Sequence, residues 1–234
     1  MKLFVATPMF GGQCAGIFAD SMCQLYDMCV SLRIPIQHRF AFNGSLITAL
    51  RTNLANEFMA SDASKLLFID ADIGFDPRYV LDLIKHSADF EVIGAPYLKK
   101  NIHWDKVVEA IDRVDNPHQL NYYTGDYAVK LVGETLLDPT VTDPVEAEYL
   151  GAGFMLISRL AFQLFQTSYP DRSYGGGTKT LYFTAEIQDD KYISEDVFFC
   201  NMIRKAGGKI GCCPWMKISH FGNHVYGGPP RQFT

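Results

Sequence analysis

Two carboxylates, Asp70 and Asp72, stand one residue apart in the run KLLFIDADIGFDP at 65–77. Carboxylates so close repel each other unless something positive lies between or beside them. A hard divalent cation is one such partner: it takes carboxylate oxygens and keeps water or phosphate oxygens as its other ligands. The apolar LLFID run reads as a buried strand, and open α/β sheets hold their ligands where such strands end. The plain alternative is a turn, with Asp70 ending the strand and Asp72 opening a turn with Gly74. An EF-hand loop is excluded, because its sixth place needs Gly and here holds Phe75.

Other residues could join this chemistry. In Ser194-Glu195-Asp196, carboxylates at a helix N-terminus stay ionised in its positive field and can serve as a general base toward a hydroxyl; Ser before two acids is also the ordinary way to start a helix. His220, with His224 as a near competitor, offers an imidazole; imidazole together with carboxylate suits Mn²⁺ better than Mg²⁺. Thr7-Pro8-Met9-Phe10-Gly11-Gly12 leaves a strand and enters a helix, where backbone amides can meet a phosphate. No Gly-Lys-Ser/Thr follows, so this is not a Walker A loop. Arg51 suits a diphosphate or a solvated helix face. Gly151-Ala152-Gly153 permits a close approach by a ligand. Tyr97 and Trp104, near Lys99 and Lys100, fit either a sugar platform or the core. A phosphatase of the haloacid dehalogenase type also carries a DxD after a buried strand; Asp189-Asp190 would be its later acidic pair, although Gly74 stands where that class usually has Thr or Val.

The elements that must position these groups alternate over the first hundred residues. Strands are expected at 3–7, near 36–41, at 65–70 and at 91–97. Between them, Phe18, Met22, Leu25, Cys29 and Leu32 mark one amphipathic helix, and Leu46, Leu50, Leu54 and Phe58 mark a second over 45–61. Asp76-Pro77 caps a third. Residues 101–147 read as hairpins and loops, from YYTGDYAVKLVG, DNPH and DPTVTDP. A strand at 153–159, a short helix, a mobile loop at 171–180, a helix at 194–208 and short strands at 209–213 and 216–221 follow, ending in a flexible tail. The pattern predicts an α/β fold with a mostly parallel central sheet flanked by helices and a smaller irregular β region.

The chain has 234 residues, 48% of them hydrophobic, and a formal charge of −5. That suits one domain, here 1–234 with halves at 1–100 and 101–234. The acidic balance lacks the footprint of a nucleic-acid binder, which makes that partner less expected. The six cysteines form no CxxC pair and read as reduced thiols of a cytoplasmic protein. The start is too short an apolar run for a signal peptide, and no run reaches the ~18 apolar residues of a membrane span.

The order of these motifs resembles the GT-A class of nucleotide-sugar glycosyltransferases: the TP-GG strand exit, an Arg-bearing helix, FIDAD, GAGFMLI, an SED-led helix and a later His, over about Leu3 to His220. The resemblance implies a Rossmann-like fold and an enzyme that moves a sugar from a nucleoside-diphosphate sugar to a glycan or other hydroxyl acceptor with Mn²⁺ or Mg²⁺. It implies Asp72, His220 and Asp70 at the metal, with Asp70 touching ribose or sugar. Thr7, Pro8 and Arg51 would hold the nucleotide, and Ala152 and Gly153 would back the donor sugar. Asp196, or Glu195, would be the base of an inverting displacement. Residues 101–147, the least distinctive, fall where such enzymes vary with their acceptor. Anchored Golgi relatives carry a membrane segment that is not present in these residues; that suits a bacterial or viral cytosolic enzyme, or a chain whose anchor has been removed. The non-catalytic alternative is a module that binds nucleotide sugars.

Overall fold

The computed structural model describes residues 1–42, 44–133 and 137–223. Strands β1 (Leu3–Met9) and β2 (Ile36–Phe42), with helix α1 (Gly16–Ser31) between them, open the fold. Helix α2 (Ile47–Ala60), β3 (Lys65–Ile69), β4 (Ile73–Gly74), α3 (Arg78–His86) and β5 (Val92–Gly94) complete the alternating half. Then come α4 (Trp104–Ala110), β6 (Val129–Leu131), β7 (Val145–Leu150), β8 (Phe154–Ser158) and α5 (Arg159–Ser168). The last part holds the hairpin β9 (Ser173–Tyr174) and β10 (Lys179–Thr180), the hairpin β11 (Glu186–Gln188) and β12 (Lys191–Ile193), α6 (Glu195–Lys205), β13 (Ile210–Cys212) and β14 (Ser219–His220).

Eight strands form the central sheet in the order β2-β1-β3-β8-β5-β13-β7-β6. Strands β2, β1, β3, β5, β13 and β6 point one way, and β8 and β7 run against them. Alternation along the strands splits the core into two layers, because successive side chains of a strand face opposite sides. Phe4, Ala6, Leu66, Phe68, Met155 and Ile157 pack with Leu54 and Phe58 of α2 and with the phenylalanines of α5 and α6. Leu3, Val5, Leu67, Ile69, Phe154 and Leu156 pack with Phe18, Met22 and Leu25 of α1 and with Val80 and Leu83 of α3. Strands covered on both faces read as continuous apolar runs, which is why β1, β3 and β8 are plain in the sequence.

The helices depart from expectation in detail. Leu32 and Leu46 are exposed, and α2 buries Arg51, Thr52 and Ala55 beside Leu54 and Phe58. Its inward stripe is part polar, so hydrophobic spacing alone misplaces it. Residues 104–110, expected as hairpin and loop, are helix α4. It leaves Trp104 and Val108 exposed, as is Ile111 just beyond it, so this apolar spacing faces solvent rather than the core. Gly175, Gly176 and Gly177 all have positive φ and form the turn between β9 and β10; this is the stretch expected as a mobile loop. All six cysteines are free, four of them buried, and burial pushes the Cys200 thiol up to about 12. No described helix is long and apolar enough to cross a membrane. His224 and the tail beyond it lie outside the described residues.

Candidate active site

A crevice of about 550 Å³ opens at the carboxyl ends of β1, β2 and β3. Its walls come from four segments: Pro8 and Phe10 to Ala15 at the β1 exit, Gly44 to Leu50 leading into α2, Asp70 to Asp72, and Lys100 with Phe221 to Asn223. Backbone bonds fasten the rim. The Ala15 N–H at the start of α1 donates to the Ala71 carbonyl (2.8 Å), so the helix N-terminus leans on the loop that carries the two aspartates.

Asp70 and Asp72 meet different surroundings. Asp70 faces Arg51, whose Nη2 donates to both of its carboxylate oxygens (2.9 and 3.1 Å). The same guanidinium donates from Nε to Glu195 (3.2 Å) and from Nη1 to the Ala152 carbonyl (3.3 Å). Arg51 is 4% exposed. Burial by itself would ease its proton off, but Asp70 and Glu195 overcome that and hold the charge in place. This cluster ties α2, β3, the β7–β8 turn and the start of α6 together.

Asp72 lies outside that cluster. The short pair of β4 with β14 sets Ser219 against Gly74 and His220 against Ile73, and the Phe221 N–H donates to the Asp72 carbonyl (2.8 Å). His220 is thereby brought beside Asp72. Its Nδ1 lies 2.7 Å from the Leu98 carbonyl; a carbonyl only accepts, so Nδ1 donates that bond and Nε2 is the ring nitrogen left for Asp72. Nε2 is 3.4 Å from Asp72 Oδ1. That oxygen is buried and makes no hydrogen bond. Oδ2 is paired with the Lys100 ammonium. Burial raises the Asp72 carboxyl, and the opposing pull of His220 and Lys100 carries it below the usual range. A neutral imidazole would offer an Nε2 lone pair beside a carboxylate oxygen that makes no hydrogen bond, a donor set that suits a divalent cation. No group of three or more His, Cys, Asp or Glu is placed to hold a metal among the described residues; the protein offers two ligands, and a hard cation of this kind readily completes its shell with phosphate and water oxygens.

The sequence matches no protein-family model, and no curated protein is significantly similar to it. Solved structures are similar in fold. The chain superposes on GalNAc-T7, solved with UDP, GalNAc and Mn²⁺, with a TM-score of 0.53 and 12% identity over 98% of this chain and 45% of that one. The chain thus spans less than half the length of that protein. The fold is that of the GT-A glycosyltransferases. The catalytic domain of Drosophila β1,4-galactosyltransferase 7, solved with xylobiose, has a TM-score of 0.49 at 13% identity over 95% of this chain and 71% of that one. S. aureus TarS follows with a TM-score of 0.46 at 10% identity over 91% and 58%.

Within this GT-A fold the candidate residues separate. Pro8, Asp70 and Asp72 line the crevice. Thr7 does not: it is fully buried, and its Oγ1 shares a 2.9 Å hydrogen bond with His38 Nε2. Arg51, taken from the sequence as a diphosphate ligand, is consumed by its two carboxylates and one carbonyl. Asp70 spends both oxygens on Arg51, which sets it apart from Asp72 as a metal ligand. The same bonds oppose its use as a phosphatase nucleophile, and Asp189-Asp190 forms the exposed turn of β11–β12, both residues with positive φ. Glu195 is held by Arg51 as well. Asp196 accepts from Ser194 Oγ (2.5 Å) and from the Val197 N–H (2.8 Å) through Oδ1, so Oδ2 takes no part in either bond.

The glycines at 151 and 153 have an internal partner. A Cβ at Gly151 would stand 2.3 Å from the Tyr97 hydroxyl oxygen, and one at Gly153 would stand 2.8 Å from it. The Tyr97 hydroxyl accepts from the Gly153 N–H (3.0 Å), and its ring meets His220 edge-on at 5.2 Å. The close approach expected of a ligand at Ala152 and Gly153 is made by this buried tyrosine, while Trp104 stands apart on α4. Tyr97, weighed in the sequence as sugar platform or core, is buried core behind the site, and Lys100, noted there only as its neighbour, lines the crevice.

Proposed function

We propose that this chain is a divalent-cation-dependent glycosyltransferase that moves a sugar from a nucleoside-diphosphate sugar to the hydroxyl of a glycan or similar acceptor, with inversion. The observation that carries this reading is the pair Asp72 Oδ1 and His220 Nε2, 3.4 Å apart with no hydrogen bond between them, beside the crevice of a GT-A fold. They would hold Mn²⁺ or Mg²⁺, whose chemistry is to neutralise the departing diphosphate. Support for nucleotide and metal use also comes from the fold neighbour that was solved with UDP and Mn²⁺.

The chain's own residues supply the rest. Asp70, gripped through both oxygens by Arg51 Nη2, presents its outer edge to the ribose or sugar. The β1 exit and the start of α1 line the nucleotide side of the crevice, and residues 1–100 form the donor half. Asp196, oriented by Ser194 and by its own helix start, takes the acceptor proton on Oδ2; Glu195 stays bound to Arg51 and positions the cluster. Residues 101–234 meet the acceptor.

Thermal unfolding against a panel of nucleoside diphosphates, each with and without Mn²⁺, tests the binding half, since a ligand of the folded state raises its stability by mass action. A shift for one nucleotide that needs Mn²⁺ and disappears in Asp72→Asn is the expected result. No shift for any nucleotide, in a protein that unfolds cooperatively, sinks the proposal. Release of sugar from the matching donor then separates an enzyme from a binding module. Asp196→Asn should keep donor binding and lose transfer.

A further inference from the structure

The segment that orients His220 also carries a cation that faces the same aspartate. Leu98 accepts the His220 Nδ1 proton, and two residues on, Lys100 places its ammonium on Asp72 Oδ2. The segment is fixed by backbone pairing: Leu98 bridges to Tyr127, and the Lys99 N–H donates to the Asp126 carbonyl (2.9 Å). The Lys100 stem runs over Gly222, where a Cβ would come within 3.2 Å of Cδ and 3.3 Å of Cγ. Glycine at 222 thus leaves a lane for the lysine along the crevice wall. Nearby Lys106 is paired with Asp126, so its charge is spent away from Asp72.

Lysine is a compact charge on a flexible stem, able to turn its three donors to a new partner. Its pair with Asp72 is loosely held: the two side chains are 41% and 32% exposed, and exposed ion pairs are weak. A dication at Oδ1 and His220 Nε2 would repel an ammonium on the other oxygen of the same carboxylate. A diphosphate held by such a dication would give that ammonium a strong new partner in the crevice.

We propose that Lys100 is an exchangeable counter-ion of Asp72: it neutralises the carboxylate as seen here, and it turns to the donor's diphosphate when a divalent cation takes Asp72. This rests on the metal reading above and adds a residue that this reading did not assign. Lys100 then opposes metal binding and favours phosphate binding, and a single neutral substitution moves the two in opposite directions.

Lys100→Met keeps the stem and removes the charge. Mn²⁺ alone is titrated into the 234-residue chain and followed by the spin signal of the free ion; inorganic pyrophosphate is then titrated calorimetrically at saturating Mn²⁺. The variant should bind Mn²⁺ about fivefold or more tightly, and pyrophosphate about tenfold more weakly, each being the loss of one close charge. Lys100→Arg should restore both toward wild type. A folding defect would weaken both and so cannot imitate this pattern. Mn²⁺ binding that is equal or weaker in Lys100→Met overturns the exchange, and unchanged pyrophosphate affinity overturns the turn to phosphate. Asp72→Asn, measured in parallel, keeps the two failures apart. If wild type takes up no Mn²⁺, or Asp72→Asn takes it up equally well, the metal reading itself fails and the proposal falls with it.

Discussion

Asp70 and Asp72 are separated by one alanine and share a strand exit, yet they end in opposite states. Asp70 belongs to a closed cluster: Arg51 is buried and spends its donors on Asp70, Glu195 and Ala152. Asp72 belongs to an open one: Oδ1 makes no hydrogen bond, Oδ2 holds an exposed lysine, and the His220 Nε2 lies 3.4 Å from Oδ1. Satisfied buried pairs make geometry rigid, whereas under-satisfied polar groups are where a ligand gains most. The paired motif is therefore two devices, a fastener and a socket, set side by side so that the first holds the second in place.

The sharpest way to break this contrast is to remove each carboxylate in turn without added metal. Asp70→Ala leaves a buried guanidinium half compensated and should cost about 3–5 kcal/mol of stability. Asp72→Ala removes a partly exposed pair and should cost no more than about 1 kcal/mol. Urea unfolding of both variants measures this; equal losses would erase the distinction.

Acid sensitivity isolates the contrast from a third buried group. His38 accepts or donates between Thr7 Oγ1 (2.9 Å) and the Tyr26 hydroxyl (2.8 Å), and burial lowers its pKa to about 4. The unfolded chain takes up this proton near the usual pKa of about 6.5, while the folded one resists until about 4. Stability should thus be intact above pH 6.5 and fall by about 3 kcal/mol as pH drops to 4, then level off. His38→Gln should flatten that slope in unfolding curves taken between pH 7.5 and 4.5, exposing whatever acid dependence the two aspartates contribute.

With ligand present the order of the two aspartates changes. At a hundredfold excess over Kd, a nucleoside diphosphate with Mn²⁺ should stabilise wild type by about 2.7 kcal/mol. Asp72→Asn should lose nearly all of that gain although its own stability is close to normal. A full ligand-induced shift in this variant would mean that Asp72 is only a turn residue. The smallest effect expected is at the joint behind the socket. Tyr97→Phe removes the hydrogen bond to the Gly153 N–H and should cost about 1 kcal/mol; Gly153→Ala, which drives a Cβ against the phenol, should cost more. Differential unfolding of the pair checks whether that tyrosine, rather than a ligand, is what the glycines accommodate.

Local pattern made much of this legible. The strands covered on both faces, β1, β3 and β8, are unbroken apolar runs. Helix α6 is announced by Ser194, Glu195 and Asp196 at one end and by Arg204, Lys205 and Gly207 at the other. A helix that turns its apolar residues outward, as α4 does, defeats the same rules, because spacing records an amphipathic face without saying what covers it. Arg51 misleads for a related reason: a lone arginine on a helix has the same sequence signature whether it faces solvent or is buried between two carboxylates.

The sequence by itself determined that a buried strand delivers two carboxylates to the edge of an α/β sheet, since strand periodicity and strand ends are local properties of the chain. It also determined that a histidine and an acidic helix start follow at a distance. Only the tertiary structure decided which carboxylate is which. The partners that settle it, Arg51, Glu195, Lys100 and His220, come from 19 to 148 residues along the chain from the atoms they meet. Whether a charge is paired, orphaned or exposed depends on what the folded sheet brings across that distance, and no residue's own neighbours carry that information.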